Sequence, residues 1–412
     1  MSKIIILIPT LLMAGVARAQ NLTELINMAY AKNPGLMASK ASHQAQRSLV
    51  TSKASFADPV VGLATLDRNV ETKYAMVTQK FRFPVKYYLQ AKAQSNLAKS
   101  YKAKYDMAKF NVRSKVISLY YSIYSVQKII ELTKTNIRAV KEFSRVAEKK
   151  YAAGRSSQSD SMKSHFELTK LELDLIRLGQ EEAGLQEELY ATVNSSHFKK
   201  LNFSKINLRI PNFEEQKISS SMKNLTTKLR QSSPKLKKEI HLLKQASDKS
   251  NLAKWEFAPD IKIQYQQRIS GDPEDSKIYS VGLELPIWFW SKGAKASAAS
   301  SKEMAQEYKV SHETLILIAK IKGLKGKVSA LKKTLEVYKT SLIPQALGAF
   351  NSTRAGYRAN KSSFLSLLDS ERALYGVKTG YYNSLRQYAE KLSHLESSMG
   401  FTVSNLTKEV IK

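Results

Sequence analysis

The 412-residue chain contains no cysteine. Disulfide frameworks, thiolate metal sites and cysteine nucleophiles are therefore excluded, as is the lipid attachment point of a lipoprotein. Proline and glycine are sparse, at 10 and 16, and neither occurs between Val85 and Ala153, a stretch free of helix breakers. Beyond the first residues nothing approaches the ~20 consecutive apolar residues of a membrane-spanning helix. Acidic residues are few, 35 against 66 Lys and Arg, for a net charge of +31. The histidines His43, His165, His197, His241, His312 and His394 show no metal-ligand spacing, and there is no Gly-rich phosphate loop, nucleophile elbow or HExxH. Paired carboxylates occur only as helix-surface runs such as Glu181-Glu182 and Glu187-Glu188. No enzyme, no metal site and no cofactor is expected.

What is present begins with an export signal over residues 1–19. Lys3 precedes the uncharged apolar run Ile4 to Leu12, and Ala17-Arg18-Ala19 offers a small-x-small cleavage site. Without Lys3 and Arg18 the charge falls from +31 to +29. Export argues against nucleic acid as the partner of this charge, and the lysines are spread along helical faces rather than gathered in a patch. Two readings of the charge stay open: solvated helix surfaces with a basic compositional bias, or a basic surface facing anionic lipid or cargo.

The mature chain is written twice, some two hundred residues apart. Asn33-Pro34 is echoed by Ser233-Pro234, Phe56-Ala57-Asp58-Pro59 by Phe257-Ala258-Pro259, and Lys80 to Pro84 by Glu284-Leu285-Pro286. Tyr151-Ala152-Ala153-Gly154-Arg155-Ser156-Ser157 returns as Tyr357-Arg358-Ala359-Asn360-Lys361-Ser362-Ser363. Units this long indicate a duplicated fold. In each copy apolar residues step by four and three over many turns, which keeps one seam facing a partner helix. The first arm runs Val112, Val116, Leu119, Ile123, Val126, Ile130, Thr133, Ile137, Val140, Ser144, Ala147 and Tyr151, broken only by Thr133 and Ser144. Its return carries Leu168, Leu171, Leu175, Leu178, Glu182, Leu185 and Leu189. The second pair carries Leu317, Ile321, Leu324, Val328, Leu331, Leu335, Tyr338 and Leu342, then Leu385, Tyr388, Leu392, Leu395 and Met399. Gly323, Gly326 and Pro344 are expected to interrupt and bend this second arm.

Between helices each copy holds two short alternating segments. Ile261, Ile263, Tyr265, Gln267 and Ile269 oppose Lys262, Gln264, Gln266 and Arg268 across a strand, and after the turn Gly271-Asp272-Pro273 the residues Tyr279, Val281, Leu283 and Leu285 resume the apolar side. The first copy is fainter: Val61, Leu63 and Thr65, a polar tip from Asp67 to Lys73, then Val77, Gln79, Phe81 and Phe83. The aromatics Phe81, Phe83, Trp255, Phe257, Trp288, Phe289 and Trp290 crowd the switches between helix and strand, as at a membrane interface. A soluble antiparallel sheet with aromatic core residues is the other reading. Four strands cannot close a barrel, because the smallest membrane barrels have about eight and lipid does not tolerate open edges. If these strands span, several chains share one barrel.

These landmarks, in this order, resemble the TolC family of outer-membrane efflux channels from about Leu22 to Met399. The fold class implied is mainly α with β: long antiparallel coiled-coil helices plus four transmembrane strands per chain. A homotrimer would share a twelve-stranded barrel in outer-membrane lipid, continued by an α-helical tunnel through the periplasm. The domains expected are residues 20–222 (hairpin about 60–83, helix pair about 85–194, then an equatorial link), 223–399 (hairpin about 260–285, helix pair about 287–399) and a tail, 400–412. The resemblance implies a passive duct docked to a periplasmic adaptor and an inner-membrane transporter, in a tripartite efflux or type I secretion system. It also implies a gate at the helix tips. Asp369 falls on one ring aspartate of the family, and the other ring position is Ser366. Asp160 and Tyr357 match two linking residues, while the expected arginine is Ser362. Without the resemblance, Asp369 reads equally as an exposed carboxylate near a turn. The alternative for the whole chain is an exported, elongated coiled-coil scaffold or adhesin without a pore, which leaves the two proline-bracketed hairpins unexplained.

Overall fold

The computed structural model describes residues 21–67, 71–154, 157–204, 206–218, 221–270 and 277–406. The export signal, Arg155 and Ser156, and the turn at Gly271-Asp272-Pro273 lie outside the described residues. In chain order the elements are α1 (Leu22–Lys32), α2 (Pro34–Ala54), β1 (Val60–Asp67), β2 (Glu71–Phe81), α3 (Pro84–Ala152), α4 (Gln158–Val193), α5 (Met222–Ser232), α6 (Pro234–Trp255), β3 (Asp260–Arg268), β4 (Lys277–Glu284), α7 (Phe289–Val337), α8 (Ile343–Arg358) and α9 (Phe364–Met399).

The stretch without proline or glycine forms one helix. The 69 residues of α3 reach about 100 Å at 1.5 Å per residue. Its heptad seam is where the burial lies: Val116, Ile123, Val126, Val140 and Ala147 are all buried. At about 25 cal/mol per Å² each such aliphatic side chain contributes roughly 1.5–3 kcal/mol. The two breaks in the seam are buried polar groups that meet partners on neighbouring helices. The Thr133 hydroxyl lies 2.8 Å from the Tyr375 hydroxyl on α9, and the Ser164 hydroxyl on α4 donates to Ser144 at 3.0 Å. Their hydrogen bonds offset the cost of burying a hydroxyl and fix the register of the helices.

The second arm departs from expectation. Helix α7 passes through Gly323 and Gly326 without interruption. A helical glycine costs only about 1 kcal/mol relative to alanine, and the buried Ile321, Val328 and Leu335 around it outweigh that. The irregularity comes later, as a π-helical turn over Tyr338–Leu342 that ends two residues before Pro344. The wider turn accommodates the missing proline N–H. Leu342, read as part of the apolar seam, lies exposed beyond it.

The duplication is visible atom by atom where helices meet end to end. Asn33 and Ser233 break α1 from α2 and α5 from α6 with nearly the same backbone angles (φ −64°, ψ 119° and φ −67°, ψ 119°), each followed by proline at the first helical position. Each break is held by the end of a return helix. Asn33 Nδ2 donates to Thr192 O at 2.8 Å, and Ser233 Oγ donates to Ser398 O at 3.0 Å. Both return helices end on a left-handed residue, Asn194 (φ 48°) and Gly400 (φ 75°).

The four strands form a single antiparallel sheet in the order β1-β2-β3-β4, with the two copies joined where β2 pairs with β3. The register places Val61 opposite Val77, Val77 opposite Tyr265 and Tyr265 opposite Tyr279. Odd-numbered positions thus share one face in all four strands, and even-numbered positions share the other. Midway along the helices, residues 195–218 wrap the bundle and meet the C-terminal segment, with Glu214 N donating to Val403 O at 2.9 Å. Two glutamines clasp this wrap. Gln186 exchanges both amide bonds with the Leu201 backbone (2.8 and 3.1 Å), and Gln127 holds Leu201 O and Phe203 N (both 2.8 Å). Inside, the buried Arg113–Glu396 pair (2.6 Å) is completed by Val403 N and Ser404 Oγ on Glu396 Oε1 (2.8 and 2.6 Å).

Gly400 is required twice over, by its left-handed φ and by close approach. An added Cβ would sit 2.6 Å from Pro234 Cδ and closer still to Ser232 O. Gly400→Ala is expected to destabilise the chain by about 2 kcal/mol, read as a lowered melting temperature. At Asn194 the same left-handed residue already carries a side chain, so Asn194→Gly is expected to be near neutral.

Candidate functional site

Two places concentrate the unusual chemistry: the sheet with its junction to the helices, and the far tips of the helix pairs. On the sheet, the odd-numbered face is mainly apolar and uncovered, with Lys73, Gln79, Gln267 and Lys277 its polar members. Val61, Leu63, Tyr279 and Val281 are each about three-quarters exposed, and Val77, Ile261, Ile263 and Leu283 are also exposed. The even-numbered face is mainly polar, with Thr78, Lys80, Lys262, Gln264, Gln266, Arg268, Ser280 and Glu284, and it also holds Val60, Tyr74, Met76 and Ile278. The outer strands β1 and β4 each have one unpaired edge. An apolar face of this extent on an open-edged sheet marks a surface that another apolar phase covers.

The aromatics picked out by sequence gather at the base of this sheet. Phe83 stacks on Trp255 with centroids 5.4 Å apart, so one copy's helix start touches the other copy's helix end. Phe81 meets Phe56 edge-on at 5.4 Å, and Trp288, Phe289 and Trp290 form a cluster that is largely exposed. Phe257 is also exposed. The sequence reading missed the ionic lattice beneath these rings. Lys86, 2% exposed, donates to Asp260 Oδ1 and Ala258 O, both at 2.7 Å. Arg82 pairs with Glu256 at 2.5 Å, and Lys80 pairs with Glu284 and, at 3.7 Å, with Asp260. The lattice ties the start of α3 to β3 through Lys86 and the end of β2 to both β3 and β4 through Lys80. A lysine one turn into a helix looks solvated in sequence; only the sheet pairing brings Asp260 over it.

At the opposite end the two tip motifs fold alike. Gly154 (φ 69°) and Asn360 (φ 59°) are both left-handed, and each N–H reaches the carbonyl three residues back, Tyr151 O at 2.8 Å and Tyr357 O at 3.3 Å. Asparagine tolerates the left-handed region better than most residues, so it serves where the first copy has glycine. The tips pack through a shared cluster of Ala147, Phe350, Tyr357, Phe364, Leu367, Leu368 and Leu374.

The five sequence candidates all lie at this end, in different settings. Tyr357 is buried under Lys150, whose ammonium sits 3.9 Å above the ring centroid, and its hydroxyl has no hydrogen-bond partner among the described residues. Burial raises its pKa, and the nearby Asp160 carboxylate adds to the effect, which brings these two candidates together. Ser362 folds back over Gly356, its N–H on Gly356 O at 3.2 Å, leaving no room there for a Cβ. Ser366 belongs to the cap of α9: its N–H donates to Ser363 Oγ at 3.1 Å, and the two hydroxyls are 2.8 Å apart. Asp369 is exposed and 3.5 Å from Arg372, one turn on in α9.

Behind them lies a buried carboxylate pair that the sequence did not disclose. Glu167 on α4 is 3% exposed and accepts two bonds from Arg372 on α9, at 2.6 and 3.0 Å. Glu371 is 5% exposed, with Oε2 unpartnered among the described residues. Its burial, reinforced by the Glu167 charge, pushes its pKa up to about 8, against the pull of Arg372 and Lys378. Glu371 is thus neutral under mildly acidic and neutral conditions. An unfolded carboxyl releases its proton near its ordinary value of 4.5, so the folded chain holds the extra proton between that value and about 8. Stability is expected to fall as pH rises through this window and to level off above it. Glu371→Gln should remove most of that slope in thermal melts recorded from mildly acidic to mildly alkaline pH; an unchanged slope would assign it to other groups.

No helix among the described residues is long and apolar enough to cross a membrane, and no group of three or more His, Cys, Asp or Glu there could hold a metal ion. No family model matches the chain. It is 20% identical over 297 residues to the cobalt-zinc-cadmium resistance protein CzcC of Cupriavidus metallidurans, covering 70% of this chain and 68% of that one. Among solved structures it resembles CusC, described for its transmembrane channel formation, with a TM-score of 0.81, 14% identity and 92% of each chain covered. It likewise resembles the outer-membrane channel OprN, with a TM-score of 0.79, 14% identity, and 92% of this chain and 89% of that one covered. Helical arms, a four-stranded sheet and duplicated landmarks together give this chain the fold of the TolC-like outer-membrane channels.

Proposed function

We propose that the chain is the outer-membrane exit duct of a tripartite efflux or type I secretion system. In this reading three copies close a twelve-stranded barrel in the outer membrane, and their helices continue it as a tunnel into the periplasm. There the tips dock to a periplasmic adaptor and an inner-membrane transporter. The observation that carries the proposal is the four-stranded sheet, with one face exposed and apolar over its middle and both edges unpaired. In lipid such edges must be paired, and three sheets joined edge to edge satisfy them. The aromatic rings at the base of the sheet support a membrane interface at that level, and α3 is long enough to cross a periplasmic space.

The resemblance to CzcC, whose name places it in metal resistance, keeps metal-ion efflux among the cargo classes. A scaffold without a pore gives no reason for an uncovered apolar sheet.

If the odd-numbered face meets lipid, Val281→Lys should cost about 2–4 kcal/mol per chain near the bilayer midplane and abolish heat-modifiable trimers in outer-membrane fractions. Ser280→Lys, one residue away on the other face, should leave them intact. Equal damage from both, or a soluble monomer from the unaltered chain, would favour the scaffold. At the tip, Tyr357→Phe removes a hydroxyl with no partner among the described residues, so it should hardly change the stability of the chain. If that hydroxyl links neighbouring copies, Tyr357→Phe should raise the closed-state leak in planar bilayers, as should Asp369→Ala. Unchanged leak in both would remove these residues from the gate.

A further inference from the structure

We propose that the duct selects for anions, because the wall of its barrel and its periplasmic mouth both carry uncompensated positive charge. The inference rests on the channel reading above. With the odd-numbered face in lipid, the even-numbered face lines the pore.

Its described charged residues are Lys80, Lys262, Arg268, Asp260 and Glu284. Both carboxylates are taken: Glu284 by Lys80, and Asp260 by Lys86 and Lys80. Neither Lys262 nor Arg268 pairs with a carboxylate among the described residues, and Arg268 Nε donates instead to Ser270 O at 2.8 Å. Two such cations per chain make six in a closed three-chain barrel. A narrow water-filled passage with low-dielectric walls focuses the field of these charges on a passing ion.

The other end repeats the bias. The one ring-type carboxylate, Asp369, has the Arg372 guanidinium 3.5 Å away, and the companion position is the uncharged Ser366. Lys149, Arg358 and Lys361 are exposed at the helix tips and outnumber the carboxylates Glu148 and Asp160 there. Within about one Debye length, 8–10 Å, they set the potential at the entrance whichever way their side chains swing. Cargo carrying net negative charge therefore meets no electrostatic barrier at either end of the described wall. A bare divalent cation meets one at both, so a metal ion would pass more readily within an anionic complex.

The test is the reversal potential of the full-length mature protein in planar bilayers under a potassium chloride gradient. The expected sign is that of chloride. Lys262→Gln with Arg268→Gln should shift the potential toward zero, and Lys262→Glu further toward potassium, with heat-modifiable trimers retained as the check on assembly. A potassium-signed potential in the unaltered protein would overturn the inference. A chloride-signed potential unmoved by the substitutions would overturn the assignment to Lys262 and Arg268. Absence of any current would instead remove the channel reading, and the selectivity with it.

Discussion

A four-stranded sheet with one apolar face and two free edges is unfinished in any solvent. In water its face is uncovered; in lipid its edges hold unpaired N–H and C=O groups that cost several kcal/mol each. Much else in the chain serves to present this sheet whole. The two hairpins come from different copies and are joined by eight register pairs between β2 and β3. The Lys86–Asp260 contact and the Phe83–Trp255 stack then fix that joined sheet on the helix ends below. A buried lysine is costly unless its charge is met, and at this junction it is met by a carboxylate and a carbonyl together. The same contact therefore specifies the orientation of the sheet.

Along the helices the problem is register rather than closure. A continuous aliphatic seam permits sliding by a turn; buried hydroxyls do not. Thr133 against Tyr375 and Ser144 against Ser164 interrupt the seam where only one alignment satisfies the hydrogen bonds. The middle wrap does the same in the perpendicular direction. Gln127 and Gln186 treat the Leu201–Phe203 backbone as an added strand, and Tyr388 donates to Pro211 O at 2.8 Å.

The copies differ at the tips in side chains rather than in backbone. The backbone is the same in both, a left-handed residue with an N–H returned to the carbonyl three residues earlier, but the side chains differ. The first tip offers Gly154 and Asp160. The second offers Asn360, a buried Tyr357 and, about two turns into α9, Glu371 with its raised pKa. An arginine bound to Glu167 spans α4 and α9, so the one strongly perturbed carboxylate near the tip lies where the two copies touch.

The sequence alone determined the elements and their order. Helix length followed from the absence of proline and glycine, seams from heptads, strands from period two, and the duplication from repeated landmarks; each of these signals is local in the chain. Local signals misjudged Gly323 and Gly326, because the cost of a helical glycine is small beside the burial around it, and a sequence shows the first but not the second. They were also silent on Lys86, Glu167 and Glu371, which look like solvated residues on helices. Their burial arises from residues about 170 to 200 positions away, and only tertiary packing decides which charge is desolvated and which partner reaches it. The odd and even faces of the strands could be read as alternation, but that they align across both hairpins into one mainly apolar and one mainly polar surface was decided by the β2–β3 register. No residue within either copy encodes that pairing by itself.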